Sequence, residues 1–355
     1  MSKQSVTEWI MDHNTCFLLG AGCSICAGKP TIDRLTEMVR EASSHTVQKL
    51  LDDLRGRGNR KANVEDLINY LLRMRQLMNS RRTPPGQEDW RIETIDEEIL
   101  NTQKAIVKAI GTDWQSSVHH ERFLVRLATS NRRRPIDIFC LNYDTVLEAS
   151  MESLRLRYTD GFVGSENAYF EPTAFEQIPT TTAFFRLYKL HGSVNWIRDH
   201  DDIVRRRPGS SLGDTPRAVV YPAEQKYLQT QYGVYETLMR LFRDRLRDPD
   251  KNNKLVVFGY SFGDEHINAA IEDSIRSPQS NLTVHAFVGP EDDVEAQKAT
   301  FELIASRCEH RFNAVICNKC YIGPGLDDTG WRDICGGELW KFENVVSLLT
   351  GAGNE

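Results

Sequence analysis

Cys16-Phe-Leu-Leu-Gly-Ala-Gly-Cys-Ser24 is an apolar run that stops at two glycines. Phe17-Leu-Leu19 reads as a short buried strand, and Gly20-Ala-Gly22 as the tight turn that ends it. A helix follows Thr31, with Asp33 and Glu37 in its early turns, where the helix dipole favours acids. Strand, glycine turn and helix in that order open a βα unit. Glycines at such a turn allow backbone N–H groups to approach a pyrophosphate. The spacing departs from the plain G-x-G-x-x-G fingerprint, because the next glycine is Gly28. A tight turn with no ligand is the competing reading.

Three later segments follow the same plan: Ile138-Phe-Cys-Leu-Asn-Tyr-Asp144, Leu187-Tyr-Lys-Leu-His-Gly-Ser-Val-Asn-Trp196 and Leu255-Val-Val-Phe-Gly-Tyr-Ser-Phe-Gly-Asp-Glu-His266. Apolar strands break off at small or polar residues, and ligands of open α/β sheets bind beyond the carboxyl ends of the strands. Asn142 ends one strand and Asp144 opens a helix. Either residue also suits a plain helix cap. His191 is the type of group that acts as a general base near neutral pH, although a lone histidine is more often structural. Ser261 and Asp264 suit ribose hydroxyls, with a capped helix as the rival. Together the four ends suggest a phosphate cradle, a catalytic pair and a ribose grip.

The remainder of the chain frames these segments. Residues 43–130 carry almost no β pattern. Val64, Leu67, Ile68, Leu71 and Leu72, then Ile99, Ile106 and Ile110, recur at helical spacing. This predicts a helical insertion after the first βα unit. A strand is expected over Ile136 to Cys140 and a helix over Thr145 to Arg157. Residues 158–230 read as an irregular small subdomain, with strands at Phe184 to Leu190 and Ala218 to Tyr221 and a polar excursion from Ile197 to Pro216. Strands at Lys254 to Phe258, Leu282 to Val288 and Phe312 to Ile316 alternate with helices, which implies a parallel sheet with right-handed crossovers. Residues 306–355 supply a last strand and helix. The fold class is therefore α/β, Rossmann-like, in one domain over 1–355.

Composition narrows the function. The chain has 355 residues, 40% of them hydrophobic, and a net charge of −6, which argues against a protein built to coat nucleic acid. The runs Arg132–Arg134 and Arg205–Arg207 each abut a proline and read as solvated loops. Met1 to Asn14 has no apolar h-region, and no apolar run approaches the ~20 residues of a membrane span. Eight scattered cysteines, several inside apolar strands, read as reduced thiols. A cytoplasmic protein without a membrane anchor is the expectation. Cys317-Asn-Lys-Cys320, with Cys308, His310 and Cys335 nearby, has some character of a zinc knuckle. No second C-x-x-C lies near it in the chain, and no metal is expected.

Taken in order, Gly-Ala-Gly-Cys-Ser, Leu-Asn-Tyr-Asp, Lys-Leu-His-Gly-Ser and Gly-Tyr-Ser-Phe-Gly-Asp-Glu-His resemble the sirtuin family from about Cys16 to Val288. They are more similar to bacterial anti-phage NAD hydrolases of sirtuin type than to protein deacylases. The resemblance implies a sheet of sirtuin type and NAD as substrate. It puts Gly20, Ala21, Gly22, Ser24, Asp144, Gly259, Ser261 and Asp264 around NAD, Asn142 beside the nicotinamide ribose and His191 as base. It further implies a homo-oligomer gated by a co-encoded partner such as a HerA-type ATPase, an Argonaute or a nucleotide-sensing protein. Deacylating sirtuins carry a four-cysteine zinc module after the His-Gly motif, whereas this chain has no cysteine between Cys140 and Cys308. Their Thr-Gln-Asn-Ile-Asp is Cys140-Leu-Asn-Tyr-Asp144 here. Both departures favour hydrolysis over transfer to a peptide, with deacylation or simple NAD or ADP-ribose sensing as alternatives.

Overall fold

Strand β1 (Thr15–Leu19) lies at the centre of the sheet, between β10 (Lys254–Phe258) and β2 (Ile136–Cys140), parallel to both. The computed structural model describes residues 3–56, 62–80, 90–111, 115–130, 134–165, 168–176, 183–198, 204–206, 217–219, 233–249, 252–290, 294–308, 311–316, 320–322 and 338–351. Beyond β2 come β6 (Phe184–Lys189) and β3 (Arg157–Thr159). Beyond β10 come β11 (Thr283–Val288), β12 (Phe312–Ile316) and the antiparallel edge strand β13 (Cys320–Ile322). Seven strands thus run parallel in the order β12-β11-β10-β1-β2-β6-β3. The sheet grows outward from β1 in both directions, so its topological switch point lies beside β1.

Both faces are covered, and the strands show it residue by residue. Cys16, Leu18, Phe139, Leu255 and Val257 pack with α8 (Val234–Arg247), α9 (Glu265–Arg276) and α10 (Val294–Arg307). Phe17, Leu19, Ile138, Cys140, Val256 and Phe258 pack with α1 (Lys3–Met11), α6 (Val118–Ala128), α7 (Val146–Ser153) and α11 (Phe342–Thr350). The alternation is the two-residue period of a strand buried on both sides.

The helices of residues 43–130 do not form one body. α2 (Ile32–Ala42), α4 (Val64–Asn79) and α5 (Ile92–Ile110) share a core of Leu35, Val39, Val64, Ile68, Ile106, Val107 and Ile110. α3 (His45–Gly56) packs with α4 and α5 through Val47, Leu50, Leu51, Leu67, Leu71 and Ile95. α6 instead lays Phe123, Leu124 and Leu127 on the main sheet, so it is the crossover helix between β1 and β2. A capping box between Asn63 and Asp66 fixes where α4 begins.

Two sequence expectations are corrected. The helix from Thr145 ends at Ser153, because Arg155 turns to a left-handed φ of 55° and releases the chain into β3. Within the stretch expected to be irregular, β4 (Phe162–Val163), β5 (Ala168–Phe170), β8 (Val204–Arg206), β7 (Gly192–Arg198) and β9 (Arg217–Val219) form a second, antiparallel sheet in that order. Most of these strands are too short to leave a readable period in the sequence.

At the amino end of β2, Asp137 is 2% exposed and joins three elements. Its carboxylate accepts from Arg186 Nε at 2.6 Å and from Arg245 Nε at 2.7 Å, while Arg245 also donates to Asn253 Oδ1 and to the Asn14 carbonyl. Asp137→Ala would leave two guanidiniums facing an apolar site. We expect it to destabilise the fold by about 3–5 kcal/mol, read as an earlier midpoint in urea unfolding.

Candidate active site

The carboxyl ends of four strands are aligned. Phe258 pairs with Leu19, Leu19 with Cys140, and Cys140 with Lys189. The residues that follow, Gly259, Gly20, Asn142 and His191, therefore emerge along one edge of the sheet, at the switch point where open α/β sheets bind ligands.

Gly20, Gly22 and Gly259 interlock there. A Cβ on Gly20 would lie 2.4 Å from the Gly259 carbonyl oxygen, and one on Gly259 would lie 2.4 Å from Cys23 N. Gly259 also takes φ +64°, which side chains resist. Gly20 N–H donates to the Phe258 carbonyl and Gly22 N–H to that of Gly259, both at 2.9 Å, and Cys23 N–H donates to Gly20 at 3.0 Å. These three amides are consequently spent inside the protein. The glycines bring the two turns together face to face, and the N–H groups of Gly20 and Gly22 point to the neighbouring turn rather than outward. The segment after them, Ala21–Ala27, is a 3-10 turn, and α2 starts at Ile32 behind its Thr31 cap.

Asn142 and His191 are held side by side by the backbone. Leu190 N–H donates to the Cys140 carbonyl and Val194 N–H to that of Tyr143. Ser193 Oγ donates to the same Tyr143 carbonyl at 3.2 Å. Asn142 Nδ2 donates to Ser24 Oγ at 2.8 Å, which links β2 to the turn after β1. Asn142 Oδ1 and His191 Nε2 are buried without a hydrogen-bond partner, on residues 7% and 9% exposed. Asn195, 8% exposed, has neither amide atom paired. Buried polar atoms are nearly always satisfied, so orphans on two neighbouring strand ends point to a ligand.

The carboxylates behave differently from the sequence expectation. Asp144 Oδ1 accepts the Val146 N–H at 3.0 Å, as a helix cap does. Asp264 caps α9 by accepting from His266 N and Ile267 N, and its other oxygen lies 3.0 Å from His191 Nε2. The imidazole is not aligned to donate along that line, so the two groups are close without a directed hydrogen bond. Asp264 is thus engaged with the histidine and the helix, and Ser261 stands exposed on the same loop. Phe262 beside it is held at φ 59° with its ring against Tyr260, Phe301 and Phe312. Such strain is kept at sites where surrounding packing over-determines it.

Beneath the catalytic loop lies a buried ion pair that the motif reading passed over. Lys189 Nζ sits 3.4 Å from Glu148 Oε1 and donates to the Asp144 carbonyl. Burial, the largest influence, works against the ammonium, but Glu148, Cys140 and Asp144 together outweigh it and hold the lysine pKa above its ordinary value. Tyr143, also quoted in the motif without a role, has its ring 6.2 Å from that of His191 and donates its hydroxyl to Glu65 Oε1. No local signal in α4 marks Glu65. Its partner lies 78 residues away.

Among the described residues no group of three or more His, Cys, Asp or Glu is placed to hold a metal. Of the zinc candidates, Cys308 is buried; His310, Cys317 and Cys335 lie outside the described residues, as does the side chain of Cys320. No described helix is long and apolar enough to cross a membrane. A groove of about 720 Å3 between α1, α6 and α11, lined by Thr7, Val125, Arg126 and Leu349, is remote from the strand ends and holds none of these groups.

Residues 137–309, just under half of the chain, match a family model described as SIR2-like domain. That span includes Asn142, His191 and the loop from Gly259 to Asp264. It bears out the resemblance to sirtuins and, with the parallel sheet, the Rossmann-like fold of sirtuin type. It supports a function that uses NAD. No curated protein matches the chain.

The thiols under the site report on its closure. Burial, above all, pushes Cys140 up to about 12 and Cys23 well above the usual thiol range. At pH 8 only about one Cys140 in 10⁴ is then a reactive thiolate. We expect iodoacetamide to spare Cys23 and Cys140 in the native protein and to modify both in urea, as read by peptide mass mapping.

Proposed function

From the premise of a SIR2-like domain over residues 137–309, we propose that the chain is an NAD glycohydrolase. It splits NAD and water into ADP-ribose and nicotinamide. The observation that carries this reading is the pair of buried atoms at the switch point, Asn142 Oδ1 and His191 Nε2, that make no hydrogen bond within the protein. Both are placed to meet a hydroxyl or a water. The bond between nicotinamide and ribose breaks through an oxocarbenium-like state. Its electron pair leaves with nicotinamide, which departs neutral and needs no acid. Water adds to the sugar carbon, and its proton passes to His191. Asn142 orients the water or the ribose hydroxyls, and Asp264, beside Nε2, stabilises the imidazolium that forms.

The dinucleotide lies over the turns 20–24 and 259–264, with Gly20, Ala21, Gly22, Ser24, Gly259 and Ser261 as its contacts. Binding energy from the diphosphate and adenosine fixes the ribose for reaction. Hydrolysis is favoured over deacylation because no cysteine stands between Cys140 and Cys308 to build the deacylases' zinc module. NAD incubated with and without an acetylated peptide decides. Free ADP-ribose without peptide supports hydrolysis, acetyl-ADP-ribose would replace it with deacylation, and binding without product would leave a sensor. His191→Ala and Asn142→Ala should each lower turnover by at least about 100-fold while keeping the wild-type melting temperature. Normal turnover in either folded variant removes the role given to that residue.

An unrestrained NAD hydrolase would drain its host's cofactor, so we place this one under control, as an effector of anti-phage defence. The insertion is the suited device. Tyr143, next to Asn142, is packed in the core of α2, α4 and α5, so a shift of these helices moves the catalytic loop. A homo-oligomer joined through the insertion, with low activity until a partner or ligand binds, is the expected state. Size and turnover measured together, with and without a co-encoded partner, test it. A monomer with full activity that no partner changes would rule it out.

A further inference from the structure

Positive charge on a ribose is met in glycoside-cleaving sites by a carboxylate. The carboxylates at the strand ends are already engaged: Asp144 with the Val146 N–H, Asp264 with the cap of α9 and with His191. Another arrives from outside the SIR2-like span. Glu65 stands in the first turn of α4, where the capping box of Asn63 and Asp66 fixes the backbone. Its Oε1 accepts the Tyr143 hydroxyl at 2.5 Å. Tyr143 lies between Asn142 and Asp144, and its ring is 6.2 Å from that of His191.

Two tyrosines lie within reach of the Glu65 charge. Burial foremost, and then Glu65, push the Tyr143 phenol well above its ordinary range, with Asp264 also acting on it. Tyr260, on the opposite loop after β10, is raised by burial, by Asp264 and by Glu65. Glu65 and Asp264 therefore act on the same two phenols, one from the insertion and one from the main sheet. Beside Tyr143 lies Asn142, whose buried Oδ1 makes no hydrogen bond, and His191 Nε2 likewise makes none; these atoms independently mark a ligand position. Glu65 is only half-buried, as a group that meets a substrate must be.

We propose that Glu65 is a substrate-contacting residue of this cleft. Its carboxylate, steered by the Tyr143 hydroxyl, accepts a hydroxyl of the nicotinamide ribose and stabilises the positive charge that develops on that sugar as nicotinamide leaves. Glu65 forms no covalent bond and keeps its charge throughout. The inference rests on the glycohydrolase reading and adds to it a residue that the helical insertion contributes to the chemistry.

The test compares the full wild-type chain with Glu65→Gln, Glu65→Ala and Tyr143→Phe for kcat and KM with NAD, alongside their melting temperatures. The amide of Glu65→Gln still accepts the Tyr143 hydroxyl but carries no charge. It should lose about 100-fold or more in kcat, with KM within about threefold. Tyr143→Phe keeps the carboxylate and should lose less. If Glu65→Gln restores what Glu65→Ala loses, Glu65 merely positions Tyr143 and the proposal fails. If Glu65→Gln melts early, Glu65→Asp, which retains the charge but withdraws it by one methylene, should show the same fall in kcat; unchanged kcat again overturns the proposal. A wild-type chain that cleaves no NAD defeats the glycohydrolase reading and this inference together. An active wild type with a fully active Glu65→Gln defeats this inference alone.

Discussion

Two backbone turns, after β1 and after β10, lie closer than any side chain would permit. A Cβ on Gly20, Gly22 or Gly259 would come within 2.7 Å of the opposite turn. This contact sets the rest of the site. It continues the ladder of β1 and β10 past the last paired residues, Leu19 and Phe258. It thereby fixes Ser24, which receives Asn142, and the loop of Asp264, which meets His191. Loosening it would separate the two halves of the sheet at the switch point.

The loop of Asn142, Tyr143 and Asp144 is held from below and from above by different forces. Below, Lys189 and Glu148 form an ion pair in the apolar interior, and Lys189 also ties down the Asp144 carbonyl. A buried pair of this kind gives little net stability, since desolvation offsets most of the attraction. What it supplies here is a fixed position for the loop. Above, Tyr143 enters the apolar core of α2, α4 and α5 and bonds Glu65. One tripeptide, Asn142-Tyr143-Asp144, thus joins the main sheet to the insertion. Because packed cores shift between discrete arrangements rather than stretch, that junction is where a movement of the insertion would reach the chemistry.

Much of this was legible in the chain itself. Phe17-Leu-Leu19, Ile136 to Cys140, Lys254 to Phe258 and Phe312 to Ile316 read as strands because apolar runs bounded by glycine, proline or polar residues have few other uses. Their order predicted a parallel sheet, and the small or polar residues after them predicted its functional edge. The short strands β4, β5 and β8 left no such trace. The end of α7 was missed because Arg155, not a glycine or proline, takes the left-handed turn.

Sequence by itself determined which residues sit at the strand ends, since hydrophobic period and turn chemistry are local properties. Tertiary structure alone decided what those residues do to one another. It spent the amides of Gly20 and Gly22 on the neighbouring turn, engaged Asp264 with His191, and brought Glu65 to Tyr143 across 78 residues. Hydrogen-bond partners and electrostatic neighbours depend on separation in space, and a linear pattern carries that only where the chain's own period imposes it.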